Sequence, residues 1–289
     1  MKRTLAASGA ALLALVALAA CSPATPGATT TPTATRTPAA GPALPPALTP
    51  SAIAALAATE YDAVIPGLLA APAEPRITGA STVAFDTPVY GADFTTAVAR
   101  IPAKDFLGKP TVVVPVMTKG DWSMVLTASR QILPSQAGDG ASAPAQTAAW
   151  VPTSALTATG SLPHRVVVSV SAQTLTITDA KGKAEQSFPV GVGTAETPTP
   201  TGATGYLQAR YLDPAQGQST HRIQLTSLHA TAADEPYGGS DGGSDGGLIG
   251  IHYQDIASGA VSHGCVRLGA DAIAAVDALK LGTPVTVVG

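Results

Sequence analysis

Cysteine is nearly absent from this chain, which holds only Cys21 and Cys265 among 289 residues. With the first inside an N-terminal signal, as argued below, Cys265 has no second cysteine with which to form a disulfide. Charge is scarce as well. Asp, Glu, Lys and Arg make up 12% of the residues, and the formal net charge is −3. No basic field exists to attract a polyanion, so nucleic acid is not an expected partner. Aromatic residues are 4% of the chain, whereas 29 glycines and 25 prolines punctuate it. Such a chain suits short strands and turns better than long packed helices. Apolar runs long enough to cross a bilayer are lacking beyond the N-terminus, so the remainder is expected to be soluble outside the membrane.

What the N-terminus does contain is a charged start, Lys2 and Arg3, followed by an apolar, alanine-rich run that closes in small residues. That is the layout of a secretory signal, read over 1–20. Leu18-Ala19-Ala20-Cys21 resembles the lipobox of bacterial lipoproteins, in which the cysteine is acylated and becomes the new N-terminus. The resemblance implies export and a lipid anchor at Cys21 on the outer face of the cell membrane. Residues 21–50 are dominated by Pro, Thr and Ala and read as an extended tether, because they cannot bury enough apolar surface to offset ordering. For 51–75 the expectation is a short helical or irregular linker, with Ile53, Leu56 and Val64 on one face of a helix between Ser51 and Ala70.

Residues 76–156 read as a small β domain, with short apolar runs at 111–114 and 123–126 set off by Pro and Gly. Gly120-Asp121-Trp122-Ser123-Met124-Val125 and Ala149-Trp150-Val151-Pro152 resemble two strands of the bacterial SH3-like fold, although Ala149 stands where that fold has glycine. A wall-binding module and a passive spacer are both compatible with this stretch. The third region, 163–289, reads as mostly β. Strands are expected at 165–170, 173–178, 184–190, 206–211, 222–228, 248–252 and 284–288, with one short helix over 270–280.

The chemistry-bearing stretch is Ser262-His263-Gly264-Cys265-Val266-Arg267, with His252 upstream. On an extended segment, His263 and Cys265 share one face, and Arg267 joins them there. Gly264 admits close approach of a substrate, and the backbone N–H groups around it can face an oxyanion. Arg267 suits a carboxylate. These residues support a Cys–His nucleophile. Two other readings remain at this point: a buried structural thiol near two histidines, and a zinc site that would lack the usual second ligand pair. His164, His221 and His229 read as structural or exposed, although His221 or His229 could line a cleft. The doubled Gly-Gly-Ser-Asp unit within 237–247 reads as a loop bordering the site rather than a calcium loop.

Taken together, Ile249-Gly250-Ile251-His252 and Ser262-His263-Gly264-Cys265-Val266-Arg267-Leu268 resemble the signature of the L,D-transpeptidases, the YkuD-type catalytic domain. Gln173-Thr174-Leu175, Pro198-Thr199-Pro200-Thr201-Gly202 and Leu281-Gly282-Thr283-Pro284-Val285 resemble further motifs of that domain, in the same order. The resemblance implies a mainly β chain: a YkuD-like β-sandwich with one short helix, preceded by the small SH3-like β domain. It also implies peptidoglycan stem peptides as substrates, release of the terminal D-alanine through a Cys265 thioester, and transfer to an acceptor amine. His252 would be the general base. Gly264 and Cys265 amides, helped by His263, would hold the oxyanion. Ser262, Arg267 and Tyr253 would contact substrate. No metal or cofactor is implied, and a monomer is expected. The family usually has glycine where this chain has Tyr253. An L,D-carboxypeptidase, in which water resolves the thioester, and an inactive wall-binding lipoprotein are the alternatives.

Overall fold

The computed structural model describes residues 41–138, 141–232 and 247–289. The signal, Cys21, the tether up to residue 40 and the 237–246 part of the Gly-Gly-Ser-Asp loop lie outside the described residues. Residues 41–289 belong to one compact unit, and it is mainly β.

The first of its two sheets uses β1 (Leu69–Ala70), β2 (Gly79–Val83), β3 (Thr87–Tyr90), β4 (Ala97–Ile101), β5 (Val112–Lys119), β6 (Trp122–Thr127), β7 (Thr147–Pro152) and β8 (Leu156–Ser161). Their order is β4-β3-β7-β6-β5-β2-β8, with β1 added at β7. The two tryptophan strands are neighbours, and Met124 pairs with Trp150 in antiparallel register. Gly120, at φ +60°, makes the tight turn between β5 and β6 that a side chain at that position would strain. Trp122 is fully buried and Trp150 nearly so, packed edge to face or tilted against Tyr90 and Phe94. Both indoles are therefore core, and neither presents a face on which a ligand could stack.

Two expectations for the N-terminal region need correction. The helix over 51–70 is only α1 (Pro50–Ala54), because Ile65 and Leu68 turn inward to cover the sheet and hold the chain in an irregular path. Residues 41–49 do not behave as the end of a tether. Trp122 Nε1 donates to Pro42 O at 2.9 Å, and Gly41 lies so close to Gly120 that a Cβ would come within 2.9 Å of its backbone. The sheet also begins at Leu69 and runs to Ser161, beyond 76–156 at both ends.

The second sheet uses β9 (His164–Ser169), β10 (Thr174–Asp179), β11 (Ala184–Pro189), β12 (Gly191–Gly193), β13 (Ala203–Asp213), β14 (Gln218–His229), β15 (Leu248–Tyr253), β16 (Gly259–Ser262), β17 (Val266–Leu268) and β18 (Pro284–Val288). Strand β10 alternates as its sequence predicts, with Leu175 and Ile177 inward and Thr174 and Thr176 toward the surface. Strand β13 is shared. Its residues 203–206 pair with β18 and its residues 207–213 with β14, so the ten strands fold into two leaves. Between them lies one aliphatic core that takes Val166, Leu175 and Ile177 from one leaf and Ile249, Ile251 and Val266 from the other. Helix α2 (Ala270–Asp277) closes the core with Ala272, Ile273 and Val276.

The two sheets are joined by packing and by hydrogen bonds. Tyr206 and Leu162 enter the aromatic core of the first sheet. His229 N–H donates to Ala145 O at 2.9 Å, and Ser227 Oγ donates to Gln146 Oε1 at 2.6 Å.

Candidate active site

Parallel pairing of β15 with β17 sets His252 opposite Arg267, and Ile251 opposite Val266. Residues directly opposite one another share a face, so His252 and Arg267 project together while Ile251 and Val266 enter the core. They open into a cleft of about 560 Å³, lined by His252, Ser262, His263, Cys265 and Arg267 with Gln216, Gly247 and Leu248. The structure therefore gathers the predicted catalytic pair, His263, Ser262 and Arg267. It adds Gln216, for which the sequence offers no signal.

The segment bearing Cys265 is not extended as expected. It turns at His263-Gly264, and Gly264 has φ +103°. A Cβ there would sit 3.0 Å from Ile249 Cδ1. Side-chain hydroxyls hold the turn. Ser262 Oγ donates to Cys265 O at 2.6 Å, and Thr199 Oγ1 donates to Gly264 O at 2.7 Å while accepting from Gly193 N–H at 2.9 Å. Ser262 O in turn accepts from Thr194 N–H at 3.1 Å and from Thr197 Oγ1 at 3.3 Å. These bonds favour a tight turn over an extended strand, so His263 and Cys265 meet at the cleft by turning rather than by alternation. The Ser262 hydroxyl is directed at this turn and not at a substrate.

The Cys265 sulfur lies within hydrogen-bond reach of two groups on β15. Gly250 N–H donates to Sγ at 3.4 Å, and Sγ–H donates to Leu248 O at 3.5 Å. On ionisation the first contact strengthens and the second is lost, because a thiolate accepts but cannot donate.

His252 Nδ1–H donates to Tyr253 O at 3.0 Å. A carbonyl can only accept, so this bond fixes the proton on Nδ1 and leaves Nε2 as the basic nitrogen. Burial pulls the His252 pKa below its ordinary value and the Arg267 charge adds to the effect, against the opposing bond to Tyr253 O. The imidazole is accordingly neutral at pH 7, the form a general base requires. Arg267 lines the cleft, while its Nε is buried with no hydrogen-bond partner among the described residues.

Tyr253 contributes its carbonyl and not its ring. The ring stacks at 4.6 Å on His221, its hydroxyl bonds to Asp255, and the side chain does not line the cleft. Its expected contact with substrate is therefore corrected: the departure from glycine is absorbed outside the site. His221 and His229 do not line the cleft either, and His164 lies 3.4 Å from Glu185 across the sheet edge. Among the described residues, no three His, Cys, Asp or Glu side chains gather closely enough to hold a metal ion.

Residues 163–287 match the family model described as YkuD, the L,D-transpeptidase catalytic domain. This segment is a YkuD domain. Nothing among the curated proteins matches the chain. Among solved structures, an L,D-transpeptidase from Mycobacterium smegmatis is 16% identical over 62% of this chain and 91% of its own, with a TM-score of 0.33. L,D-transpeptidase 1 of Mycobacterium tuberculosis is 20% identical over 50% of this chain and 78% of its own, with a TM-score of 0.30. The L,D-transpeptidase from Xylanimonas cellulosilytica is 16% identical over 45% and 62%, at 0.31. The YkuD domain here contains every residue of the cleft described above.

Proposed function

We propose that this chain is an exported, lipid-anchored L,D-transpeptidase that uses Cys265 as its nucleophile and His252 as its general base. The observation that carries the reading is the pairing in one cleft of a thiol held by Gly250 N–H with an imidazole kept neutral and oriented through Tyr253 O. In this scheme His252 Nε2 takes the thiol proton as Sγ attacks the carbonyl before the terminal D-alanine of a stem tetrapeptide. The tetrahedral oxyanion is met by backbone N–H groups at the Gly264–Cys265 turn and by His263. Collapse returns the proton from His252 to the leaving amine, which releases D-alanine and leaves a thioester on Cys265. An acceptor amine from another stem then attacks, gives its proton to His252 and regenerates the thiol as the new amide forms. Arg267, which lines the cleft opposite His252, holds a carboxylate of the stem peptide.

Export and anchoring rest on the 1–20 signal and on acylation of Cys21. Replacing Cys21 with Ala is expected to move the chain from the membrane fraction to the soluble fraction.

The decisive experiment incubates the purified full-length chain with a disaccharide-tetrapeptide beside a Cys265→Ala control, with products followed by mass spectrometry. Cysteine-dependent loss of D-alanine with a cross-linked dimer supports the transpeptidase. The same loss with tripeptide monomer alone means that water is the acceptor and the chain is an L,D-carboxypeptidase. A folded wild-type chain that leaves the substrate unchanged overturns the enzymatic reading.

A further inference from the structure

Arg130 belongs to the first sheet's side of the molecule, in the chain that leaves β6. Its backbone is tied to the segment before β1: Arg130 N–H donates to Ala63 O, and Ile65 N–H to Arg130 O, each at 2.9 Å. Its side chain leaves that region and enters the YkuD domain. Nη1 donates to Ala230 O and Nη2 to Gly247 O, both at 2.9 Å, and 4% of the residue is exposed. Those two carbonyls are matched points. Ala230 directly follows β14, Gly247 directly precedes β15, and Ala230 N–H itself donates to Gly247 O at 2.9 Å. The planar guanidinium thus spans the neck where the two strands meet.

The neck leads straight to the nucleophile. Gly247 and Leu248 line the cleft, Leu248 O lies 3.5 Å from Cys265 Sγ, and Gly250 N–H reaches the same sulfur at 3.4 Å. A fork that bonds two carbonyls on different strands fixes their separation in a way that a single ammonium cannot. Burying a guanidinium is costly, and an apolar side chain would fill the space with less desolvation. A buried arginine at this point is therefore better explained by geometry than by stability.

We propose that Arg130 is a positioning residue for the Cys265 site, through which the N-terminal sheet sets the path of Gly247–Gly250 and with it the groups that hold the sulfur. The proposal rests on Cys265 being the nucleophile. Arg130 itself touches no substrate.

The test compares the full-length chain with R130M, R130K and R165M. Arg165 Nη2 donates to Ile77 O at 2.9 Å, so it too joins the two halves, but away from the cleft strands. Three quantities are read: iodoacetamide alkylation of Cys265 against pH, located by mass spectrometry; kcat and KM on the tetrapeptide; and the urea midpoint. In R130M, alkylation at pH 7 falls about tenfold or more, its profile moves to higher pH, and kcat falls while KM stays within about twofold. R130K recovers part of each loss, and R165M leaves alkylation and kcat near wild type. A folded R130M with the wild-type profile overturns the proposal, as does an R165M that slows alkylation as much as R130M. If R130M does not fold, R130K decides: a shifted profile supports positioning and an unshifted one overturns it. A wild-type chain that alkylates rapidly but turns over no tetrapeptide overturns the enzymatic reading, while the Arg130 coupling is still read from alkylation.

Discussion

The aromatic core of the N-terminal sheet packs rings where the YkuD domain, like that sheet's second core, packs aliphatic side chains. In the former, Trp122, Trp150, Tyr90 and Phe94 meet at centroid distances near 5 Å. In the latter, valine, leucine and isoleucine from both leaves interdigitate, and one set of buried polar side chains gathers beside Cys265. Thr197, Thr199 and Ser262 are nearly inaccessible, and each has its hydroxyl bonded at the turn that presents Cys265. One half uses its interior to be stable. The other uses part of its interior to hold the turn that bears Cys265.

If that contrast is right, the largest effects on chemistry come from the cleft. Cys265→Ala should remove turnover by about 10⁴-fold or more while leaving the urea midpoint close to wild type. His252→Ala should cost about 10² to 10⁴ in kcat. In the wild type, the acid limb of kcat/KM should fall below the ordinary histidine range. The active form is the neutral imidazole, and burial has lowered its pKa, so activity is lost only as pH drops through that lowered value. A pH-rate profile of wild type and His252→Ala checks both statements.

The converse belongs to the aromatic core. Trp122→Ala should destabilise the protein by about 3 to 5 kcal/mol, yet leave kcat within about twofold at temperatures where the variant is folded. A folded Trp122→Ala with impaired chemistry would break the division between the halves, and denaturant melts run beside turnover decide it. Thr199→Val tests the clamp. It leaves Gly193 N–H and Gly264 O without their shared hydroxyl, at about 1 to 3 kcal/mol, and turnover should fall more than global stability predicts. Thr199→Ser should restore both.

The seam between the halves gives a slope with pH. His229 is buried at the seam with Nε2 on Tyr61 O, and burial with the Arg130 charge pushes its pKa down to about 3. In the unfolded chain a histidine titrates near 6.5. Between these values the unfolded state takes up a proton that the folded state refuses. Stability should therefore decline as pH falls from about 6.5 toward about 3, by up to about 1.4 kcal/mol per pH unit. Urea midpoints across that range should flatten in His229→Gln.

Much of this was legible along the chain. The strand expected over 173–178 is β10, and the collinear motifs mark the YkuD domain. Strands β12, β16 and β17 were not legible. They are three or four residues long and exist because of pairing with distant partners, which no local period records. The helix considered between Ser51 and Ala70 stops at Ala54 for a related reason: Ile65 and Leu68 answer to a sheet built from later residues.

The sequence by itself determined which groups are capable of nucleophilic and base chemistry. A thiol and an imidazole carry their chemistry wherever they lie, and a lone cysteine beside His-Gly is conspicuous in any reading. The tertiary structure decided how those atoms are presented. Parallel pairing put His252 beside Arg267, threonine hydroxyls turned the chain at Gly264, a tyrosine carbonyl chose the tautomer, and an arginine from the other sheet spans the neck of β14 and β15. Each of these depends on groups brought together across long separations in the chain or on a backbone angle that only the assembled neighbours impose.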